Sequence, residues 1–185
     1  MSKVKLNLIA AACENMGIGA NGSLPWRLKK EMAYFTSMTT KVKDPSKINA
    51  VIMGRRTWDC IPDKFRPLIE RVNVVLTRHV DELKEKVPEG VIVVAGLDEA
   101  IRYIDDRPDI EASWVIGGSS IYKLAMEHIN CDKIYLTEIQ KSFDCDTFFP
   151  NIDKQRFQLV EEEGIPTEMQ VEGDISYYYR VYKKL

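Results

Sequence analysis

Histidine is almost missing from this chain: two occur among 185 residues, at positions 79 and 128. Cysteine is sparse as well, and Cys13, Cys60, Cys131 and Cys145 form no CxxC and no paired spacing. No recognisable zinc pattern survives that scarcity. Free thiols are expected, and with them a reducing compartment such as the cytoplasm. A long apolar run is also lacking, so no segment can span a bilayer as a helix. Near the start, LNLIAAA carries Asn7 inside it and suits a first strand, and no signal peptide is expected. An excess of one charge is absent too: the net charge is −2 and the isoelectric point about 5.8. No broad basic field offers itself to nucleic acid. Internal repeats and low-complexity tracts are not found.

What is present is ordinary globular composition, 45% hydrophobic and 29% charged, at a length that suits one domain spanning residues 1–185. Apolar, β-branched runs alternate with helical patterns. VKLNLIAAA, INAVIMG, RVNVVLT, VIVVAG and SWVIGG read as buried strands. Helices are expected over residues 28–39, from RRTWDCI, in EAIRYIDD with Asp98 as its cap, and in SSIYKLAMEHI. KIYLTEI, FQLVEEEG and ISYYYRVYKKL close the chain as strands, the last ones antiparallel because no helix separates them. Continuous apolar strands with helices between them imply an α/β fold around a mostly parallel sheet.

One acid breaks the pattern. At about 100° per residue, Leu28, Met32 and Phe35 fall on one stripe of the helix over 28–39, and Glu31 projects into that stripe or its rim. Lys29 and Lys30 lie on the wet side. A carboxylate in apolar surroundings is costly unless something bonds to it. Glu31 is therefore either an edge acid paired with a nearby cation or a half-buried acid with a raised pKa; helical spacing alone leaves both open.

Three strand ends carry groups suited to phosphate. WVIGGSSIYKLA ends a strand with two glycines and opens a helix with two serines, which offers free N–H groups to an anion. VIMGRRTW places Gly54, Arg55, Arg56 and Thr57 in the same relation, and NVVLTRHV ends with Leu76, Thr77, Arg78 and His79. None is the G-x-G-x-x-G fingerprint, so the common dinucleotide fold is not indicated. Each could be a plain tight turn. Their coincidence favours a diphosphate plus a separate ribose phosphate.

Taken in order, MGIGANGSLPW, the acid five residues past that Trp, VIMGRRTW, RPLIERVNVVLTR, VIGGSSIY and DTFFP resemble dihydrofolate reductase of the animal type, from about Val4 to Tyr182. The resemblance implies an α/β fold of three layers: an eight-stranded, mostly parallel mixed sheet with an antiparallel C-terminal strand, flanked by about four helices. It implies an adenosine-binding subdomain at roughly 43–105. The implied reaction is reduction of 7,8-dihydrofolate to tetrahydrofolate by NADPH, serving one-carbon metabolism and thymidylate, purine and glycine synthesis. Folate and antifolate inhibitors would be further ligands. A monomer is expected, with no metal, membrane or nucleic-acid partner.

Residue by residue, Glu31 resembles the family's active-site acid, Thr137 the strand threonine that bonds it, and Trp26 and Leu24 the residues between the flexible loop and the pterin. Tyr122 would stand where nicotinamide and pterin meet. Ile9 and Ile116 would offer carbonyls to the pterin, Phe35 an aromatic wall with Met32 and Tyr34 beside it, and Ile61 and Leu68 the benzoyl pocket. Arg71 resembles the clamp for the glutamate α-carboxylate. Cofactor contacts are implied at Ala11, at Ile18, Gly19, Asn21, Gly22, Ser23 and Leu24, at Gly54, Arg55, Arg56 and Thr57, and at Leu76, Thr77, Arg78 and His79. The segment Gly117, Gly118, Ser119, Ser120, Ile121, Tyr122 and Leu124 would surround the diphosphate, with a cis peptide at Gly117-Gly118. Asp146 is either a brace for the glycine loop or a simple turn acid, and its pairing with Asp144 makes no metal site. Two features depart from vertebrate forms: the Trp-to-acid link is one residue shorter and lacks a proline pair, and Ile69-Glu70 replaces Lys-Gly.

Overall fold

The structure is a computed structural model that describes residues 2–185. Its strands are β1 (Leu6–Ala12), β2 (Gly17–Gly19), β3 (Ile48–Gly54), β4 (Arg71–Leu76), β5 (Ile92–Val94), β6 (Ile110–Gly117), β7 (Cys131–Ile139), β8 (Thr147–Phe148), β9 (Phe157–Val160), β10 (Gln170–Glu172) and β11 (Ile175–Lys184). Its helices are α1 (Lys29–Thr40), α2 (Arg55–Cys60), α3 (Val80–Lys84), α4 (Leu97–Asp105) and α5 (Ser119–Glu127), with a 3-10 turn at Asp63–Phe65.

Eight strands form a continuous path, β10-β11-β7-β1-β6-β3-β4-β5, and β9 adds to β11 as a ninth. From β7 to β5 all neighbours run parallel. The C-terminal β11 is antiparallel to β7, β9 and β10. The expected mostly parallel sheet with an antiparallel C-terminal strand is therefore present. Among the described residues the α-helices number five where about four were expected. The extra one is α3, five residues long, too short to show a 3.6-residue period.

Alternation along the strands divides the core into the two faces of the sheet. Leu6, Leu8, Ala50, Ile52, Val74 and Leu76 pack with Ile101, Ile104, Ala125 and Met126, which covers one face with α4 and α5. Ile9, Val51, Met53 and Val75 turn the other way, toward Trp58, Leu83 and the partly buried Phe35, which covers the second face with α1, α2 and α3. Both faces are buried, so β3 and β4 read as mostly apolar runs, each with one buried asparagine inside it.

Two expectations change in detail. Asp98 does not cap α4: Gly96 is the N-cap, and the Asp98 carboxylate instead meets His128 Nε2 at 2.8 Å. The stripe assigned to α1 is rotated. Met32 is 55% exposed, while Glu31 is only 6% exposed and is buried together with Thr39. The packed face of α1 runs through 31, 35, 38 and 39, not through Met32.

Candidate active site

Because β7, β1, β6, β3 and β4 are parallel, their C-terminal ends share one edge of the sheet. Open α/β sheets bind ligands at such edges. Glu31 reaches toward it from the first turn of α1, and Thr137 Oγ1 on β7 donates to Glu31 Oε1 at 3.1 Å. Burial pushes the Glu31 carboxyl up from 4.5 to about 7, and the bond from Thr137 opposes that rise only in part. A carboxyl in this range holds or releases a proton near neutral pH.

A tight cradle lies beside it. Gly117, at φ 131, ends β6, and its cis peptide to Gly118 leads into α5. A Cβ added to Gly117 would stand 3.3 Å from Thr57 Oγ1 and 3.5 Å from the Tyr122 hydroxyl. A Cβ on Gly54 would stand 2.9 Å from Ile121 Cγ1. Neither α2 nor α5 has a side-chain cap at its start, so the backbone N–H groups of α5's first turn are left for another acceptor. Tyr122 ties the cradle to β1: its hydroxyl donates to the Ile9 carbonyl at 2.8 Å. These bare N–H groups and the missing Cβ atoms fit a diphosphate pressed against the backbone.

At the other end of α1, Arg71 opens β4. Its Nη1 donates to Thr39 Oγ1 at 3.0 Å and its Nε to the Ile69 carbonyl at 2.9 Å. Half-burial lowers its pKa against the usual guanidinium value. Among the described residues no carboxylate pairs with it. Glu70 precedes it at φ 61, a left-handed backbone that favours glycine.

The glycine loop is held from below. β2 pairs with β8, Ala20 and Ser23 bridge across Asn21 and Gly22, and the Asn21 N–H donates to Asp146 Oδ2 at 2.9 Å. Asn21 and Gly22 both have positive φ, 52 and 78, as a two-residue turn of this hand requires. Asp146 thus contacts the loop directly, its N–H also donating to the Gly19 carbonyl at 3.0 Å.

The family model for dihydrofolate reductase matches residues 5–184. The chain belongs to the dihydrofolate reductase family. It is 78% identical over 185 residues to the dihydrofolate reductase of Heliothis virescens, with 100% of both chains covered. Identity to that of Aedes albopictus is 45% over 98% of each chain, and to that of Sus scrofa 45% over 97% of each. Among solved structures, Schistosoma mansoni dihydrofolate reductase superimposes with a TM-score of 0.85 at 36% identity, covering 100% of both chains. The chain is accordingly an enzyme of the dihydrofolate reductase class, and an oxidoreductase.

The remaining expected residues lie at different depths. Phe35, Ile61, Leu68 and Ile116 are half-buried around one hydrophobic cluster, on the same sheet face as Ile9. Ala11 is half-buried, Trp26 is 6% exposed with its ring 5.5 Å from that of Phe143, and Tyr34 stacks on Tyr179 at 4.0 Å, which turns its ring into the core. Leu24, Arg56, Arg78, His79, Ser120 and Leu124 are exposed, and Ile18, Ser119 and Ile121 are half-buried. Thr77 is buried and its hydroxyl accepts the His79 N–H. Arg55 meets Asp59 and Glu82 at 3.5 Å each, whereas Arg56 and Arg78 have no carboxylate partner among the described residues.

Three supporting residues escaped the sequence reading. Asn49 donates to the Thr39 and Lys41 carbonyls and accepts the Ala112 N–H, which fixes the end of α1. Asn73 donates to the Leu68 carbonyl and accepts its N–H, which holds the segment before Arg71. A lone asparagine inside each apolar strand was the available signal. Glu172 accepts the N–H groups of Lys29 and Lys30 at 2.8 and 3.0 Å and so caps α1 from β10; so distant a partner leaves no local signal. Among the described residues no cluster of His, Cys, Asp and Glu could hold a metal, and no helix is long and apolar enough to cross a membrane.

Proposed function

We propose that the chain reduces 7,8-dihydrofolate to 5,6,7,8-tetrahydrofolate with NADPH. The observation that carries this reading is the buried Glu31 carboxyl, bonded to Thr137 and pushed up to about 7, at the strand edge that also carries the glycine cradle. When bound, NADPH supplies a hydride from its nicotinamide C4 to pterin C6.

The chain's own residues orient, bind and manage the proton. Gly54, Arg55, Arg56 and Thr57 and the segment Gly117 to Leu124 would hold the diphosphate, and Thr77, Arg78 and His79 the adenosine end. Arg78, exposed at the adenosine end and without an acid partner among the described residues, favours a 2′-phosphate and hence NADPH over NADH. The adenosine side would be the region of roughly 43–105. Ala11 and the loop from Ile18 to Leu24 would cover the nicotinamide and exclude water.

On the substrate side, Glu31 would accept hydrogen bonds from the pterin amino group and ring N–H. It would also raise the availability of a proton at N5, since a carboxyl near 7 exchanges protons at working pH. Phe35, Ile61 and Leu68 would enclose the benzoyl ring, and Ile9 and Ile116 would lie against the pterin. Arg71 would clamp the glutamate α-carboxylate. Along α1, Glu31 and the Thr39 that holds Arg71 are separated by about 12 Å at 1.5 Å per residue. A ligand with a polar ring at one end and a carboxylate at the other suits that span. Such a product enters one-carbon metabolism.

The test is loss of NADPH absorbance on adding dihydrofolate to the purified protein. Dihydrofolate-dependent oxidation, slower with NADH at equal concentration, is expected. Binding of both ligands without oxidation would overturn the catalytic reading, and activity only toward a ring lacking the p-aminobenzoyl-glutamate tail would overturn the substrate.

A further inference from the structure

We propose that Cys13 and Cys145 form a reversible redox pair which, when oxidised, fastens the base of the glycine loop to the segment 141–148. Their sulfurs lie 3.9 Å apart, although 132 positions separate them in the chain. Cys13 follows β1 and is buried; Cys145 precedes β8 and is half-buried.

The apposition is built by the backbones around it. On one side of the pair Glu14 N–H donates to the Lys141 carbonyl at 3.1 Å, and Asn15 Nδ2 to the Phe143 carbonyl at 3.3 Å. On the other side Asp146 N–H and Thr147 Oγ1 both donate to the Gly19 carbonyl, at 3.0 and 3.1 Å. Gly17 supplies the space: a Cβ there would stand 2.3 Å from Cys145 Sγ and 3.1 Å from Cys13 Sγ. A disulfide needs its sulfurs at about 2.05 Å. Closing the remaining gap takes side-chain rotation, because the two segments are already joined on both sides. Cys131 stands apart at the start of β7, while Cys60, at the end of α2, faces the tip of the same loop: a Cβ on Gly22 would stand 3.3 Å from its sulfur.

The oxidant is a small disulfide of the glutathione type. The Cys145 thiolate, on the more open of the two residues, attacks one of its sulfurs and expels a thiolate, leaving a mixed disulfide. The Cys13 thiolate then attacks the Cys145 sulfur and expels the second small thiol. Two protein thiols are oxidised to one disulfide, one small disulfide is reduced to two thiols, and the protons of Cys13 and Cys145 pass to the two leaving thiolates. Burial, then the neighbouring Cys13 thiol, pushes the Cys145 thiol up, so the exchange is slow compared with that of an exposed low-pKa cysteine. A tied base limits the opening of residues 17–23. The consequence for turnover rests on the function proposed above, in which that loop covers the nicotinamide.

The experiment uses the full chain carrying Cys60→Ser, which removes the exposed thiol. The protein is incubated with oxidised glutathione and then split into three assays: disulfide mapping by mass spectrometry, amide hydrogen exchange, and NADPH oxidation with dihydrofolate. A Cys13–Cys145 cross-link, slower exchange across residues 14–24 and a several-fold lower rate are expected. Dithiothreitol should reverse all three, and Cys145→Ser should show none of them. Glutathione adducts without the cross-link, a cross-link to Cys131, or a mapped cross-link with unchanged exchange would overturn the proposal. If the reduced protein does not oxidise NADPH, the proposed function fails, while mapping and exchange still decide the redox pair.

Discussion

At the first turn of α1 an acid is buried against the hydroxyl of Thr137; at the last turn the hydroxyl of Thr39 holds an arginine. Both ends withdraw a charged group from water and give it one hydroxyl partner. Burial works against the charged form at both, raising the pKa of Glu31 and lowering that of Arg71. The outcomes differ because the groups differ. A carboxyl pushed up to about 7 can escape the cost by taking a proton. A guanidinium cannot lose one at any working pH and stays charged. The acid end is thereby suited to moving protons and the arginine end to fixing an anion, though one helix positions both.

That contrast can be broken one end at a time. The larger effect is expected at the acid end. Glu31→Gln keeps the Thr137 bond and the side-chain volume but removes the proton site, so turnover at pH 7 should fall roughly 100-fold or more. The deficit should shrink as pH falls, because substrate then takes its proton from solution. Full activity of the variant at pH 7, measured in steady state, would merge the two ends into mere binding groups. At the arginine end Arg71→Ala should leave kcat and the cofactor KM nearly unchanged while raising the dihydrofolate KM, by roughly 30-fold or more for a lost charged pair. An unchanged substrate KM would separate Arg71 from the ligand altogether.

The sequence and the structure agree best where a pattern is local and long. β3, seven residues long and apolar apart from Asn49, ends where INAVIMG ends, and the antiparallel close of the sheet follows from the missing helix before β11. Glu31 is visible in the sequence as an acid off its face, but helical spacing alone sets that face one position away from the packed one. Met32 looks like core by spacing, yet the sheet packs against the side that carries Glu31, Phe35 and Thr39. Short or non-local features left less trace. The five residues of α3 complete little more than one turn. The β2–β8 ladder joins residues about 130 positions apart, and the Glu172 cap of α1 depends on a hairpin 142 positions downstream. Asp146 could not be told from a turn acid until its bond to Asn21 was seen.

Burial alone, without any ligand, moves the Glu31 carboxyl up to about 7. Carbon-13 NMR titration of the glutamate side-chain carboxyls in the ligand-free protein tests it, with Glu31→Gln identifying the resonance. A midpoint near 7, well above the usual 4.5, is expected. A midpoint at or below 4.5 would mean that Glu31 is already a solvated or paired carboxylate, and would contradict it.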